Sequence, residues 1–103
     1  MILARVEGNV VATKKNAKIT GAKLLTVRPL TVDSPSAKQF KEGASTLVAV
    51  DSLGAGQNDV VLVVQGSSAR LAMPDKDTPV DAVVIGIVDT VDMAKQPLYK
   101  AGA

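Results

Sequence analysis

The chain contains no cysteine, no histidine and no tryptophan, and its only aromatic residues are Phe40 and Tyr99. Without cysteine there is no thiolate nucleophile and no disulfide. Without histidine there is no imidazole general base and no Ser-His-Asp triad, and without either there is no Cys/His zinc site. A cysteine-free chain fits a reducing cytoplasm. With rings so scarce, a core must be filled by Val, Ile, Leu and Ala, which favours closely packed β structure. Long apolar runs are also missing. No segment approaches the roughly 20 apolar residues of a membrane span, and MILARVEGNVVATKK lacks a basic region followed by an apolar stretch, so the protein is expected to be soluble and unexported, with no membrane partner.

A dominant charge is absent as well. Twelve basic and ten acidic residues leave a net charge of +2, with one small cluster at Lys14, Lys15 and Lys18. So even a spread offers a nucleic acid no track and reads as a solvated surface. A length of 103 residues suits one domain with its own core.

What is present is apolar alternation of period two. Ile2, Ala4 and Val6 alternate with Leu3, Arg5 and Glu7, the pattern of a strand with one buried face. Gly8 interrupts the run before Val10, Val11 and Ala12, and a glycine inside a strand marks a bulge or sharp bend of the kind that closes small barrels. A polar turn with Lys14, Lys15, Asn16 and Gly21 leads to a second strand over 23–30, with Pro29 expected at its end or on an open edge. Residues 31–45, TVDSPSAKQFKEGAS, are rich in turn formers and read as a long hairpin loop.

Two further apolar runs, 46–50 and 60–64, have strand length and read as buried on both faces. Between them DSLGAGQND places Gly54 and Gly56 around Ala55, which suits positive φ and close backbone approach. Ser67 or Ser68 is positioned to cap a short helix through 69–72, stopped by Pro74. Pro79 opens the last strong strand, 80–91, and the pattern lapses from Met93 onward. The expected organisation is one β-barrel domain over residues 1–92 and a flexible or partner-dependent tail over 93–103. Five strands with one short helix before the last make a mainly β fold, a small OB-like barrel, closed or partly open.

Such a barrel is not yet a function. OB barrels that bind single-stranded nucleic acid stack bases on aromatic side chains, and Phe40 in a loop and Tyr99 in the tail supply no such platform. GSSAR is too short for a Walker loop, and GAGQND lacks the third glycine and following helix of a dinucleotide fingerprint. Asp75, Asp77 and Asp81 are spaced like part of a calcium loop, but Lys76 intervenes, Pro79 breaks the pattern and the closing glutamate is missing. They read as a solvated acidic turn. Asp51 and Asp81 are a carboxylate pair of the sort used in acid–base chemistry, yet beside an arginine they are more economically ion-pair partners. No catalytic residue, metal ligand or cofactor is assigned.

Taken in order, GNVVATKK, KLLTVRPL, AVDSLGAG, VLVVQGSSAR and PVDAVVIGIVD resemble the EutN/CcmL family, vertex proteins of bacterial microcompartments, over about residues 1–91. The resemblance implies an OB-like subunit that forms a homopentamer and closes the corners of a polyhedral shell. The shell's facets are hexameric shell proteins, and it lies in the bacterial cytoplasm. It implies a structural protein and not an enzyme. The chain departs from the family pattern at Asn58 and Asp59, where relatives carry glycine and glutamate; asparagine tolerates the left-handed conformation, so the turn is expected to survive. It departs again at Leu71, often glutamine in relatives.

A ring subunit meets its neighbours through two different surfaces. Under the resemblance, Ser67, Ser68 and Ala69 keep such a boundary compact, and Arg70 presents a planar, always charged fork to carboxylates or carbonyls across it, with Asp51 and Asp81 as acidic candidates. The alternative for Arg70 is a salt bridge within its own barrel. Ser52, Leu53, Gly54, Ala55, Gly56 and Gln57 are expected at the five-fold axis, where converging backbones need residues without bulk; the alternative is a hairpin turn at the barrel rim. An opening there would be narrow and built partly of backbone amides and the Ser52 hydroxyl. The competing function is an OB-type binding module for nucleic acid or another polyanion.

Overall fold

The alternation in the first ten residues is the first wall of a barrel. The computed structural model describes residues 1–13, 15–19, 21–74 and 80–102, and in it β1 (Ile2–Val10) buries Ala4 and Val6 and leaves Glu7 exposed. The chain continues through a 3-10 turn (Ala17–Ile19), β2 (Lys23–Thr31), β3 (Lys41–Glu42), β4 (Leu47–Asp51), β5 (Val60–Gln65), α1 (Ser67–Leu71), β6 (Ala82–Ile87), β7 (Thr90–Met93) and β8 (Gln96–Lys100). Hydrogen bonding runs β1-β5-β6-β4-β2 and returns from β2 to β1, so five strands close on themselves. Every pairing in this ring is antiparallel except β4 with β6, which meet in parallel at Val50 and Val83. Closure removes free sheet edges from the ring, and β3 lies outside it, against the end of β2.

Gly8 does what its position suggested. The β1–β2 register slips between Val6 and Gly8, so Glu7 is the extra residue of a bulge, and a β-carbon on Gly8 would stand 3.2 Å from the Thr26 Oγ1. Inside the barrel Ala4, Val6, Leu25, Val27, Ala49, Val61, Val63, Ala82 and Val84 pack without one aromatic ring. A second apolar layer lies outside it, where α1 sets Ala69 over Val50, Val64 and Val83. That layer is why β5 is buried on both faces. β4 is not: Val48 on its outer face is 48% exposed, because α1 is too short to reach it.

Several expectations are corrected. The helix is not capped by a serine; its N-cap is Gly66, at φ 64° and ψ −139° with no side-chain cap, a conformation glycine adopts without strain. The strand expected over 80–91 ends at Ile87, and residues 31–45 are not all loop, since β3 pairs Glu42 with Leu30 and Lys41 with Thr31. Pro29 lies within β2, where its carbonyl accepts from the Gly43 amide at 2.8 Å. Its missing donor is harmless there, because β4 pairs with β2 only as far as Val27. Lys14, Asp75, Lys76, Asp77 and Pro79 lie outside the described residues.

The tail carries structure too. β7 and β8 form an antiparallel hairpin turned by Ala94 and Lys95, both at positive φ (50° and 65°). The molecule measures 45 Å along its long axis against 24 Å in the other two directions, and the Tyr99 ring of the hairpin meets Phe40 at 6.4 Å between centroids. On the outer face of β1 and β2, Arg5 and Arg28 are direct cross-strand partners, a repulsive pair relieved by separate carboxylates. Arg5 pairs with Glu42, while Arg28 donates through Nε to both Glu7 oxygens (3.0 and 3.1 Å) and through Nη1 to the Gly43 carbonyl (2.7 Å). The bond to Glu7 raises the Arg28 pKa above its ordinary value, against a smaller lowering by desolvation.

Truncating the interior should be far more damaging than truncating the rim. Leu25→Ala, at a fully buried position, is expected to lose about 2–5 kcal/mol of unfolding free energy in urea. Val11→Ala, at a 90% exposed one, should stay within about 0.5 kcal/mol of the unaltered protein.

Candidate functional site

β4 ends on Asp51, whose buried carboxylate organises the loop that follows. Its Oδ1 accepts from the Leu53 amide and its Oδ2 from the Ala55 amide, both at 2.8 Å. Asp59 repeats the device one turn later, its Oδ2 accepting from the Gly56 amide at 2.8 Å. The loop is then fastened to β1: the Asn58 amide donates to the Val6 carbonyl (2.8 Å) and the Val6 amide to the Asp59 carbonyl (2.9 Å). Lys23 Nζ donates to the Ala55 carbonyl at 3.0 Å. Ala55 itself is fully buried and belongs to the barrel core, so the loop closes one end of the barrel like a stopper.

Gly54 and Asn58 carry the left-handed turns, at φ 89° and 72°. Asparagine therefore sustains its turn as expected, whereas Gly56 is not left-handed, contrary to the pairing of Gly54 with Gly56 read in the sequence. Ser52, Leu53, Gly54, Gly56 and Gln57 remain at the surface. Of the loop amides, those of Leu53, Ala55 and Gly56 are taken by Asp51 and Asp59. The sequence placed Asp59 in this loop without giving its carboxylate a partner, and it did not connect Lys23 with the loop at all.

The helix gathers a second group. Ser67, Ser68 and Arg70 are exposed on α1, and Ala69 is buried beneath it. The Gly66 amide donates to the Asp81 carbonyl at 2.8 Å, which ties the start of α1 to the segment entering β6. Asp81 is brought to this group and Asp51 is not: the Val50–Val83 pairing sets Asp81 alongside Val48, while the Asp51 carboxylate is engaged inside its own loop. Among the described residues neither Arg70 nor Asp81 has a side-chain ion pair, and no group of three or more acidic side chains could hold a metal ion.

This fold is shared with known proteins. The family model for ethanolamine utilisation protein EutN/carboxysome matches residues 1–89. The chain belongs to the EutN/CcmL family. It is 43% identical to the carboxysome shell vertex protein CcmL of Synechocystis sp., across 96% of this chain and 93% of that one. Among solved structures it resembles an ethanolamine utilization protein EutN with a TM-score of 0.85 and 39% identity, covering 97% of this chain and 98% of that one. It also resembles the GrpN pentameric microcompartment shell protein from Rhodospirillum rubrum, with a TM-score of 0.75 and 43% identity over 90% of this chain and 99% of that one. The fold of EutN/CcmL proteins is thus the fold of this chain. The match to the family ends one residue before β7 begins.

The Asp51 carboxylate sets a test of the loop. Asp51→Ala leaves two amides without acceptors and is expected to lower the unfolding free energy by about 2–4 kcal/mol, with Asp51→Asn losing less because one acceptor oxygen remains. Amide hydrogen exchange should accelerate most at Leu53 and Ala55.

Proposed function

We propose that this protein is a structural component that assembles as a homopentamer and caps the vertices of a bacterial microcompartment shell in the cytoplasm, alongside hexameric shell proteins. The observation that carries the reading is the joint one of near-complete coverage by shell vertex relatives and a matching fold. The competing reading, a polyanion-binding barrel, has little support from the surface: on the outer face of β1 and β2, the cations Arg5 and Arg28 are already neutralised by Glu42 and Glu7. No catalytic role is assigned to any residue. The closed barrel, whose last strand ends at Ile87, is the vertex unit, and the β7–β8 hairpin is an addition to it.

A five-fold axis at the loop of residues 52–57 is supported by Gly56. Its φ is not left-handed, and a β-carbon there would meet only the Asp59 Oδ2, at 3.8 Å, an ordinary contact. The chain by itself has no need of glycine at this position, which directs attention to a neighbouring copy. With the Leu53, Ala55 and Gly56 amides engaged within the loop, an opening at such an axis is narrow, built of the remaining backbone groups and the Ser52 hydroxyl, and suits at most water or small ions. Ser67, Ser68 and Arg70 form the exposed part of the subunit boundary.

Two measurements test these statements. In a strain whose only gene for a vertex protein is deleted, electron microscopy should show elongated or unclosed shells with intact facets; closed shells of normal shape would exclude the vertex role. Separately, native mass should give a pentamer for the unaltered chain. Gly56→Val should reduce the pentamer fraction while moving the unfolding free energy by only about 1 kcal/mol. An intact pentamer with a much lower midpoint would return the glycine to the turn of a single chain.

A further inference from the structure

The outer face of the barrel carries an apolar groove of about 220 Å³ between β2, β4 and the entry to β6, lined by Ile19, Leu24, Val48, Val50 and Val80, with Asp81 beside them. Val48 opens into it half exposed, and the Asp81 carboxylate has no ion-pair partner among the described residues. A second feature has the opposite shape and charge. At the end of α1, Leu71 is 65% exposed, and the neighbouring Arg70 is a surface cation with no carboxylate within ion-pairing distance among the described residues. One site is an apolar hollow with an anion on its rim, the other an apolar knob with a cation at its side. Although Asp81 is tied by its backbone to the start of α1, it does not pair with the Arg70 of its own chain.

We propose that the occupant of this groove is the α1 end of a second copy of the chain, with Leu71 seated against Leu24, Val48 and Val80 and the Arg70 guanidinium on the Asp81 carboxylate. The inference rests on the pentamer reading given above and names the two surfaces that reading requires. Used once each, head to tail, a surface and its complement make a heterologous contact, the only kind that generates a ring of five, in contrast to the two-fold pair the same pieces would form if each copy gave both to one partner. The complementarity is of both kinds that interfaces combine: an aliphatic side chain filling a hollow, and an arginine fork on a carboxylate at its edge, where the covering side chains exclude water. Arginine suits the position because its fork is rigid and its stem is apolar.

Charge exchange in the full chain tests the contact by native mass across a dilution series. Arg70→Asp and Asp81→Arg should each raise the concentration needed for half assembly about tenfold or more, and Leu71→Asp should do the same through the apolar half. The double variant Arg70→Asp/Asp81→Arg should return to within about threefold of the unaltered chain. Mixing the two single variants should restore assembly only partly, because matched contacts alternate between the two kinds of copy and a ring of five cannot alternate all the way round. Since the three side chains are exposed, urea midpoints compared at concentrations where unaltered chain and variants are all monomeric should not move. If the unaltered chain is pentameric and both single variants remain so, the contact is overturned while the pentamer stands; if Arg70→Asp lowers the urea midpoint and leaves the ring intact, the arginine serves its own subunit and the contact is overturned as well. A monomeric unaltered chain removes the ring and this contact together.

Discussion

The barrel depends on β1 holding two neighbours at once. From Ile2 to Arg5 its hydrogen bonds serve β5, and from Leu3 to Val10 they serve β2, so a single strand joins the two ends of an otherwise open sheet. The bulge at Glu7 and Gly8 falls where β1 parts from β5 and bends to stay with β2. A ring of five strands encloses little volume, and the interior is accordingly filled by alanine and valine with Leu25 as the largest fully buried side chain. The scarcity of aromatic residues is a consequence of this circumference.

Polar groups follow two rules in different parts of the molecule. Where β1, β2 and the loop after β4 meet, charges and amides are matched within the chain: Arg28 with Glu7, Arg5 with Glu42, Asp51 and Asp59 with the amides of their own loop. Around α1 they are not, and apolar surface is left open beside them at Val48 and Leu71. Unmatched knobs and hollows have no stabilising role in an isolated barrel, which is the ground for the contact between copies proposed above.

Much of this architecture was legible because its signals are local. Alternation at Ile2, Ala4 and Val6, the interruption at Gly8 and the dense valine run of β5 each follow from backbone geometry that adjacent residues determine. The β7–β8 hairpin was not legible. Its turn uses Ala94 and Lys95 at positive φ, where asparagine and glycine are the residues that announce such a turn. The exposure of Val48 was hidden for another reason: a valine run reads the same whether or not a helix covers it, and only the length of α1 decides. In GSSAR the small residues and Arg70 were visible, but the amides that hold the Asp51 carboxylate within its own loop were not. A carboxylate's direction depends on which amides lie within reach, and that is a property of the folded loop.

The fastening of residues 51–59 bears on how copies of this protein meet. Because Asp51, Asp59 and the Val6 backbone hold that loop in place within one chain, a neighbour approaching that end finds a finished surface and has no backbone to order. At the axis proposed above, such a loop would dock as a rigid body, limited by orientation and not by folding, at little cost in conformational entropy. The same property works in reverse. In the proposed pentamer, a subunit that left the ring would keep this loop's shape and need no refolding there to rejoin.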